Sequence, residues 1–321
     1  DVFLEKTGFD SGDGYLTSGG TLANLTALLA ARRALPDQNI WETGHSGKLA
    51  VMVSDQAHYC IERALRIMGF GAEGVMRVPV NEQYSMRTEL LPKMLEESRK
   101  RGIRIMAVAG SAPSTATGMH DDLQAIGTFC HQNNIWFHVD AAHGGGALFS
   151  DKYRQLLSGI HMADSVVVDG HKMMLIPVIA TALLFKDKKH ASRTFSQQAS
   201  YLLDEKMADQ WENISAKTFE CTKHMMAIKF YAAMKAYGLD IFNQHVTSAY
   251  DLGKAFAAMI RSRQDFELFI EPESNIVCFR YTGSGIQESE LDRLNTEIRT
   301  RLMHEGRFYM VQTRLENKTW L

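Results

Sequence analysis

Short apolar runs alternate with stretches of helical length along the first 185 residues, and that rhythm constrains the fold more than any other feature. The runs at 48–53, 75–79, 103–109, 135–139, 164–168 and 179–185 are too short for buried helices and read as strands. Between them, 22–35, 60–68, 90–101 and 123–133 read as helices, the first stopping at Pro36 and the second at Gly69. Parallel strands need a long crossover between them, usually a helix. The alternation therefore predicts an α/β chain with a largely parallel sheet and helices on both faces.

After residue 185 the character changes. Helical patterns cover 218–237 and 241–263, separated by Gly238, followed by strand-like 266–270 and 275–281, a helix over 287–305, and strand-like 307–312. These predict a smaller α+β domain over 239–321, hung from a large domain over 1–238. The polar, aperiodic segment 202–217 reads as a mobile loop. The chain opens on Asp1 rather than Met, and the apolar end Thr319-Trp320-Leu321 reads as a strand cut short, so sequence is expected beyond both ends.

Charge and cysteine usage narrow the function classes. A formal net charge of −2, with no Lys/Arg-dense face, gives no support to nucleic-acid or polyanion binding. The longest apolar runs, such as 25–31, are far short of a membrane span, and no signal peptide is visible. Cys60, Cys130, Cys221 and Cys278 stand singly, without a CxxC pair, which predicts reduced thiols and a cytoplasmic setting.

In open α/β sheets ligands bind beyond the carboxyl ends of the strands, and chemistry-bearing residues cluster there. Thr17-Ser18-Gly19-Gly20-Thr21 opens the first long helix, where small residues and helix-start amides can cradle an anion and Thr21 can add a hydroxyl. It is neither a Walker loop nor a dinucleotide fingerprint; a plain Gly turn with a Ser/Thr cap is the bland alternative. An apolar strand delivers Asp140, followed by Ala141-Ala142-His143 and three glycines. A buried carboxylate there needs a cation or a donor, although a turn cap would also explain it. His138 and His143 invite a metal reading, but no second ligand set has metal-site spacing, and no metal is expected.

Another strand ends in Asp169-Gly170-His171-Lys172. A lysine held beside another cation can have a lowered pKa and act as a nucleophilic amine toward a carbonyl, whereas an ordinary loop lysine would be solvated. His58 could stack on an aromatic ring and the hydroxyls of 111–117 could donate to a phenolate, or both could be turn chemistry. Phosphate, aromatic ring, ring nitrogen and aldehyde, the four features of pyridoxal 5′-phosphate, each find a candidate partner in this set.

The motifs TSGGTLANLTALLAAR, HVDAAHGGG and DGHK, with further matches at 200–203 and 218–231, resemble those of the pyridoxal-phosphate-dependent group II amino-acid decarboxylases. That family includes glutamate, diaminobutyrate, cysteine-sulfinate and aromatic amino-acid decarboxylases. The resemblance implies a fold type I, PLP-dependent transferase-like large domain and decarboxylation of an L-amino acid, acidic or diamino, to an amine and CO2. By position, Lys172 is similar to the Schiff-base lysine, Asp140 to the carboxylate paired with the ring nitrogen, and Ala142 and His58 to the residues on the two ring faces. Gly19, Gly20 and Thr21 match phosphate-binding positions, with Asp169 and His171 beside them and Ser114 near the cofactor. The family's mobile loop often supplies a tyrosine as proton donor; 204–217 holds only Trp211, which leaves His58 as a candidate donor. A homodimer with the active site at the subunit interface is also implied.

Three other readings use the same residues. An aminotransferase or lyase shares the Lys, Asp and phosphate cradle but breaks another bond at the same carbon. An aldehyde-forming relative, or a scaffold that binds the cofactor without turnover, completes the set.

Overall fold

The structure, a computed structural model, describes residues 1–36, 39–195, 214 and 217–321. Apart from Ile214 and Lys217, the loop expected at 202–217, with Trp211, lies outside the described residues, as does the 200–203 match. Two compact units emerge, Asp1–Pro113 with His120–Thr247, and Ser114–Met119 with Ser248–Leu321.

The first unit is built on seven strands: β1 (Asp13–Thr17), β2 (Lys48–Ser54), β3 (Val75–Val78), β4 (Ile103–Ser111), β5 (Trp136–Asp140), β6 (Ser165–Asp169) and β7 (Thr181–Phe185). They lie in the order β1-β7-β6-β5-β4-β2-β3. β3, β2, β4, β5 and β6 are parallel neighbours, while β7 runs antiparallel to both β6 and β1. β1 therefore points the same way as the parallel five, and six of the seven carboxyl ends share one edge. β6 and β7 are buried along their whole lengths. Strands covered on both faces must be apolar almost throughout, which is why these runs were legible.

Adjacent residues of β5 show the two covered faces. The ring of Phe137 lies against Gly127 of the helix Leu123–Asn133, where a Cβ would come within 3.2 Å of Cε1. The next side chain, His138, faces the other way and meets Asn24 of the helix Gly20–Arg33. That helix turns Ala23, Ala27, Ala30 and Ala31 inward, and such small side chains let its backbone come close to the sheet. The helix Tyr59–Ile67 packs beside it through Cys60, Ile61, Ala64 and Leu65.

In the second unit, the hairpins Phe266–Leu268 with Phe279–Tyr281 and Thr313–Leu315 with Lys318–Trp320 accompany the helix Glu288–Glu305. Its core gathers Ile260, Phe279 and Leu321, with Phe256, Phe266 and Ile298 against them. Buried Asn295 accepts from the Tyr281 amide and donates to the Tyr281 carbonyl, both at 2.9 Å, so helix and hairpin are tied without an unpaired polar group.

Four details correct the sequence reading. β1 was not anticipated; its residues DGYLT are too mixed to stand out, and it forms because β7 offers an open edge. The helix expected over 218–237 starts only at Ala227. The strand expected at 307–312 falls instead at Thr313–Leu315, where a Glu316-Asn317 turn with positive φ at both residues closes a hairpin. The runs 266–270 and 275–281 keep only three paired residues each. Among the described residues, no helix is long and apolar enough to cross a membrane.

Candidate active site

Register determines what meets at the carboxyl edge. Asp140 of β5 pairs with Val167 of β6, and two residues further on Asp169 pairs with Thr181 of β7, which in turn faces Thr17 of β1. Side chains two apart share a face. His138, Asp140, Ser165, Asp169, Thr181 and Thr17 therefore all lie on the face covered by the helix Gly20–Arg33.

Asp169 is 2% exposed, and a carboxylate so buried needs partners. Thr181 donates its hydroxyl to Oδ1, and Lys172 Nζ lies 3.0 Å from Oδ2. His171 Nε2 is 3.7 Å from the same oxygen, while its Nδ1 meets the backbone of Ala180. Lys172 is thus held beside a carboxylate, where the sequence reading had put a second cation next to it. Its side chain remains 40% exposed, so the amine is within reach of a ligand. The flanking Met173, Met174 and Ile176 are buried. Lys229 Nζ donates to the carbonyls of Pro177, Val178 and Ile179, pinning the loop that returns the chain to β7.

Asp140 accepts from Asn24 Nδ2 at 3.1 Å through Oδ2 and from the Ala142 amide at 3.2 Å through Oδ1. The Ala142 carbonyl accepts from the Asp169 amide, so this small residue bridges the two carboxylate-bearing strand ends. Gly19 has φ +98, a conformation glycine adopts without strain. At Gly20 an added Cβ would lie 3.1 Å from Asp169 Oδ2 and 3.4 Å from the Ala142 methyl. Glycine here keeps a clearing over the sheet edge at the start of a fourteen-residue helix that has no side-chain cap and no acidic residue in its first turn. Thr21, in that first turn, is exposed.

His58 caps the helix Tyr59–Ile67 by accepting the Cys60 amide at Nδ1, 3.3 Å away, and its ring lies 4.2 Å from that of Tyr59. Burial pushes the imidazole below its ordinary value and Lys172 adds to this, while Asp140 and Asp169 pull the other way. Ser114 belongs to the second unit, buried, with its hydroxyl 2.7 Å from that of Thr117.

The structure therefore brings Lys172, Asp140, Asp169, His171, Ala142, Gly20 and His58 to one region of the first unit. Sequence reasoning missed Thr181 and the part played by Asn24. Asn24 carried a faint signal, a polar residue among alanines and leucines on the helix face turned inward. Thr181 carried none, because its neighbour is set by an antiparallel pairing. His138, weighed earlier as a metal ligand, has both ring nitrogens committed: Nδ1 to Ser165 Oγ at 2.9 Å and Nε2 to Asn24 Oδ1 at 2.7 Å.

Complete burial pushes the His138 imidazole down to about 4. The ordinary value is about 6.5, so between these limits the unfolded chain binds a proton that the folded chain does not. Stability present above about pH 6.5 is accordingly lost as pH falls, by about 2 kcal/mol at pH 5 and about 3 kcal/mol below pH 4 from this group alone. Urea unfolding at pH 7.5 and pH 5 should show His138→Gln losing less stability over that interval than the parent; equal losses would contradict it.

An accessible amine, two anchored carboxylates and an uncapped helix start suit a ligand that carries an aldehyde, a basic ring nitrogen and an anionic group. The comparisons agree. A model described as the pyridoxal-dependent decarboxylase conserved domain matches residues 2–282, and the chain belongs to that family. The human acidic amino acid decarboxylase GADL1 is 34% identical over 316 residues, covering 94% of this chain and 60% of the relative. An aromatic-L-amino-acid decarboxylase from Bacillus atrophaeus is 29% identical over 311 residues, covering 96% and 64%. The chain thus spans less than two thirds of the length of either. The crystal structure of mouse CSAD in apo form superposes with a TM-score of 0.90 at 26% identity, over 99% of this chain and 68% of that one. Pyridoxal phosphate is the cofactor of the family, and the clearing at Gly20, the Lys172 amine and the Asp140 carboxylate fit it.

Proposed function

We propose that the protein decarboxylates an L-amino acid of the acidic class, such as glutamate or aspartate, with pyridoxal phosphate at the carboxyl edge of the sheet. The observation that carries this reading is the gathering of Lys172, Asp140 and Asp169 at that edge, in a chain whose family match covers residues 2–282. Lys172 would hold the cofactor's aldehyde, Asp140 its ring nitrogen, Ala142 and His58 the two ring faces, and Gly19, Gly20, Thr21 and His171 its phosphate. When bound, the cofactor supplies an electron sink for the pair left behind as the carboxylate departs.

The remaining work falls to the chain's own groups. Asp169 Oδ2 holds the Lys172 ammonium, so the amine keeps its position when it is not bonded to a ligand. The Nδ1 of His58 is occupied by the Cys60 amide, so the neutral imidazole carries its proton on Nε2, the nitrogen left to donate a hydrogen bond toward a ligand. The acidic substrate class is supported by the higher identity to a relative named for acidic amino acids than to one named for aromatic ones. A cytoplasmic homodimer completes the proposal, with exposed Met225, Ile228 and Tyr231 offering apolar area for a second subunit.

Borohydride reduction of the protein with pyridoxal phosphate, followed by peptide mass analysis, tests the cofactor assignment. A pyridoxyl group on Lys172 is expected; folded protein labelled elsewhere, or not at all, would overturn it. CO2 release from glutamate and aspartate, against 2,4-diaminobutyrate and an aromatic amino acid, then tests the substrate class. Turnover confined to one of the latter two would replace the acidic assignment.

A further inference from the structure

Behind Asp140 runs a series of buried hydrogen bonds that none of the site assignments uses. Trp136 Nε1 lies 2.9 Å from Ser165 Oγ, Ser165 Oγ 2.9 Å from His138 Nδ1, His138 Nε2 2.7 Å from Asn24 Oδ1, and Asn24 Nδ2 3.1 Å from Asp140 Oδ2. Ser165 and His138 are fully buried and Asn24 is 1% exposed, so water does not substitute for any link between them.

The direction of every link follows from its last member. A carboxylate can only accept, so Asn24 gives its NH2 to Asp140, with the second N–H of that group directed to Cys60 Sγ at 3.3 Å, and turns its carbonyl oxygen to His138. His138 therefore carries its proton on Nε2 and, being neutral, accepts at Nδ1. Ser165 gives its own proton to that nitrogen and accepts from the Trp136 indole, which can only donate. With the Ala142 amide on Oδ1, Asp140 is gripped by one donor on each oxygen, and its remaining acceptor directions are left to a ligand.

We infer that His138, with Ser165 and Asn24, is a positioning device for Asp140, setting the orientation in which that carboxylate meets the ring nitrogen of the cofactor; this rests on the functional reading above. The series works because it carries no charge of its own. Burial keeps the imidazole neutral at physiological pH, so no cation two links away competes for the negative charge of Asp140. Cutting the series at His138 leaves the Asn24 carbonyl oxygen without its donor and frees the side chain to swing, so its NH2 is no longer held on Asp140.

The readout is the ring nitrogen itself, followed by 15N NMR of the full chain loaded with 15N-labelled pyridoxal phosphate and titrated with pH, alongside the dissociation constant of the cofactor. His138→Leu should lower the pH at which the ring nitrogen loses its proton by about one unit or more and weaken cofactor binding severalfold. His138→Gln, whose amide nitrogen can take the place of Nε2 toward Asn24, should restore most of the titration. Ser165→Ala, a small change one link further out, should move it in the same direction as His138→Leu and decides the matter if the leucine variant does not fold. Titrations superimposable on the parent in the folded variants, or equal displacement by Leu and Gln, would overturn the inference and leave the functional reading standing. A parent protein that binds no pyridoxal phosphate would remove both.

Discussion

Lys172→Ala should abolish borohydride labelling at the site and lower amino-acid turnover by about three orders of magnitude or more, the scale on which positioned nucleophiles and proton carriers act. No other lysine amine is held against Asp169 among the described residues, so no neighbour is placed to take over. The structural cost should be small by comparison. Removal of the ammonium leaves the buried Asp169 carboxylate with the Thr181 hydroxyl and the more distant His171. Breaking a fully buried ion pair costs about 3–5 kcal/mol. Lys172 is 40% exposed, so solvent screening reduces this to about 1–2 kcal/mol. CO2 release by single turnover, with a urea melt on the same preparation, separates the two effects. A variant that keeps a tenth of the parent activity would require every role assigned around Lys172 to be withdrawn.

Asp140→Asn should leave the fold almost untouched and cut turnover by roughly a thousandfold. At an effective dielectric of about 20, a carboxylate ~4 Å from a protonated ring nitrogen gains roughly 4 kcal/mol. That corresponds to about three units in the ring nitrogen's pKa, and a similar loss of transition-state stabilisation corresponds to about three decades in rate. The substitution is nearly isosteric, and Asp140 is only partly buried, so little packing is lost. The new amide still accepts from Ala142 but now turns an NH2 toward the Asn24 NH2, or rotates and loses the Ala142 contact. Measuring kcat beside the melting temperature decides the point. A fall in kcat below tenfold, or a loss of stability as large as the loss of activity, would show that Asp140 holds the fold rather than the chemistry.

The two aspartates were legible to different degrees. Each stands at the end of an apolar run, and carboxylates delivered there by central strands demand partners, so the sequence marks both positions. Asp140 and Lys172 also lie inside motifs whose family resemblance supplies roles. The partners themselves were not readable. Thr181 meets Asp169 because β7 runs antiparallel to β6, and β7 was read only as one more apolar run. His138 and Ser165, 27 residues apart, become neighbours through the β5–β6 register, and Asn24 reaches Asp140 across 116 residues.

Local pattern alone determined most of the alternating strands and helices of residues 22–185, the expectation of a parallel sheet, and the edge at which chemistry-bearing residues collect. These follow from how many residues an element needs to cross the core and from the requirement that a strand covered on both faces be apolar. The edge strand β1 and the hairpin at Thr313–Leu315 escaped, because half-exposed backbone does not impose an apolar run on its side chains. The orientation of Asp140 and the anchoring of Asp169 by Thr181 were decided only by the tertiary structure. Both depend on register and on helix-to-sheet packing, which join residues distant in the chain through directed bonds a few ångströms long.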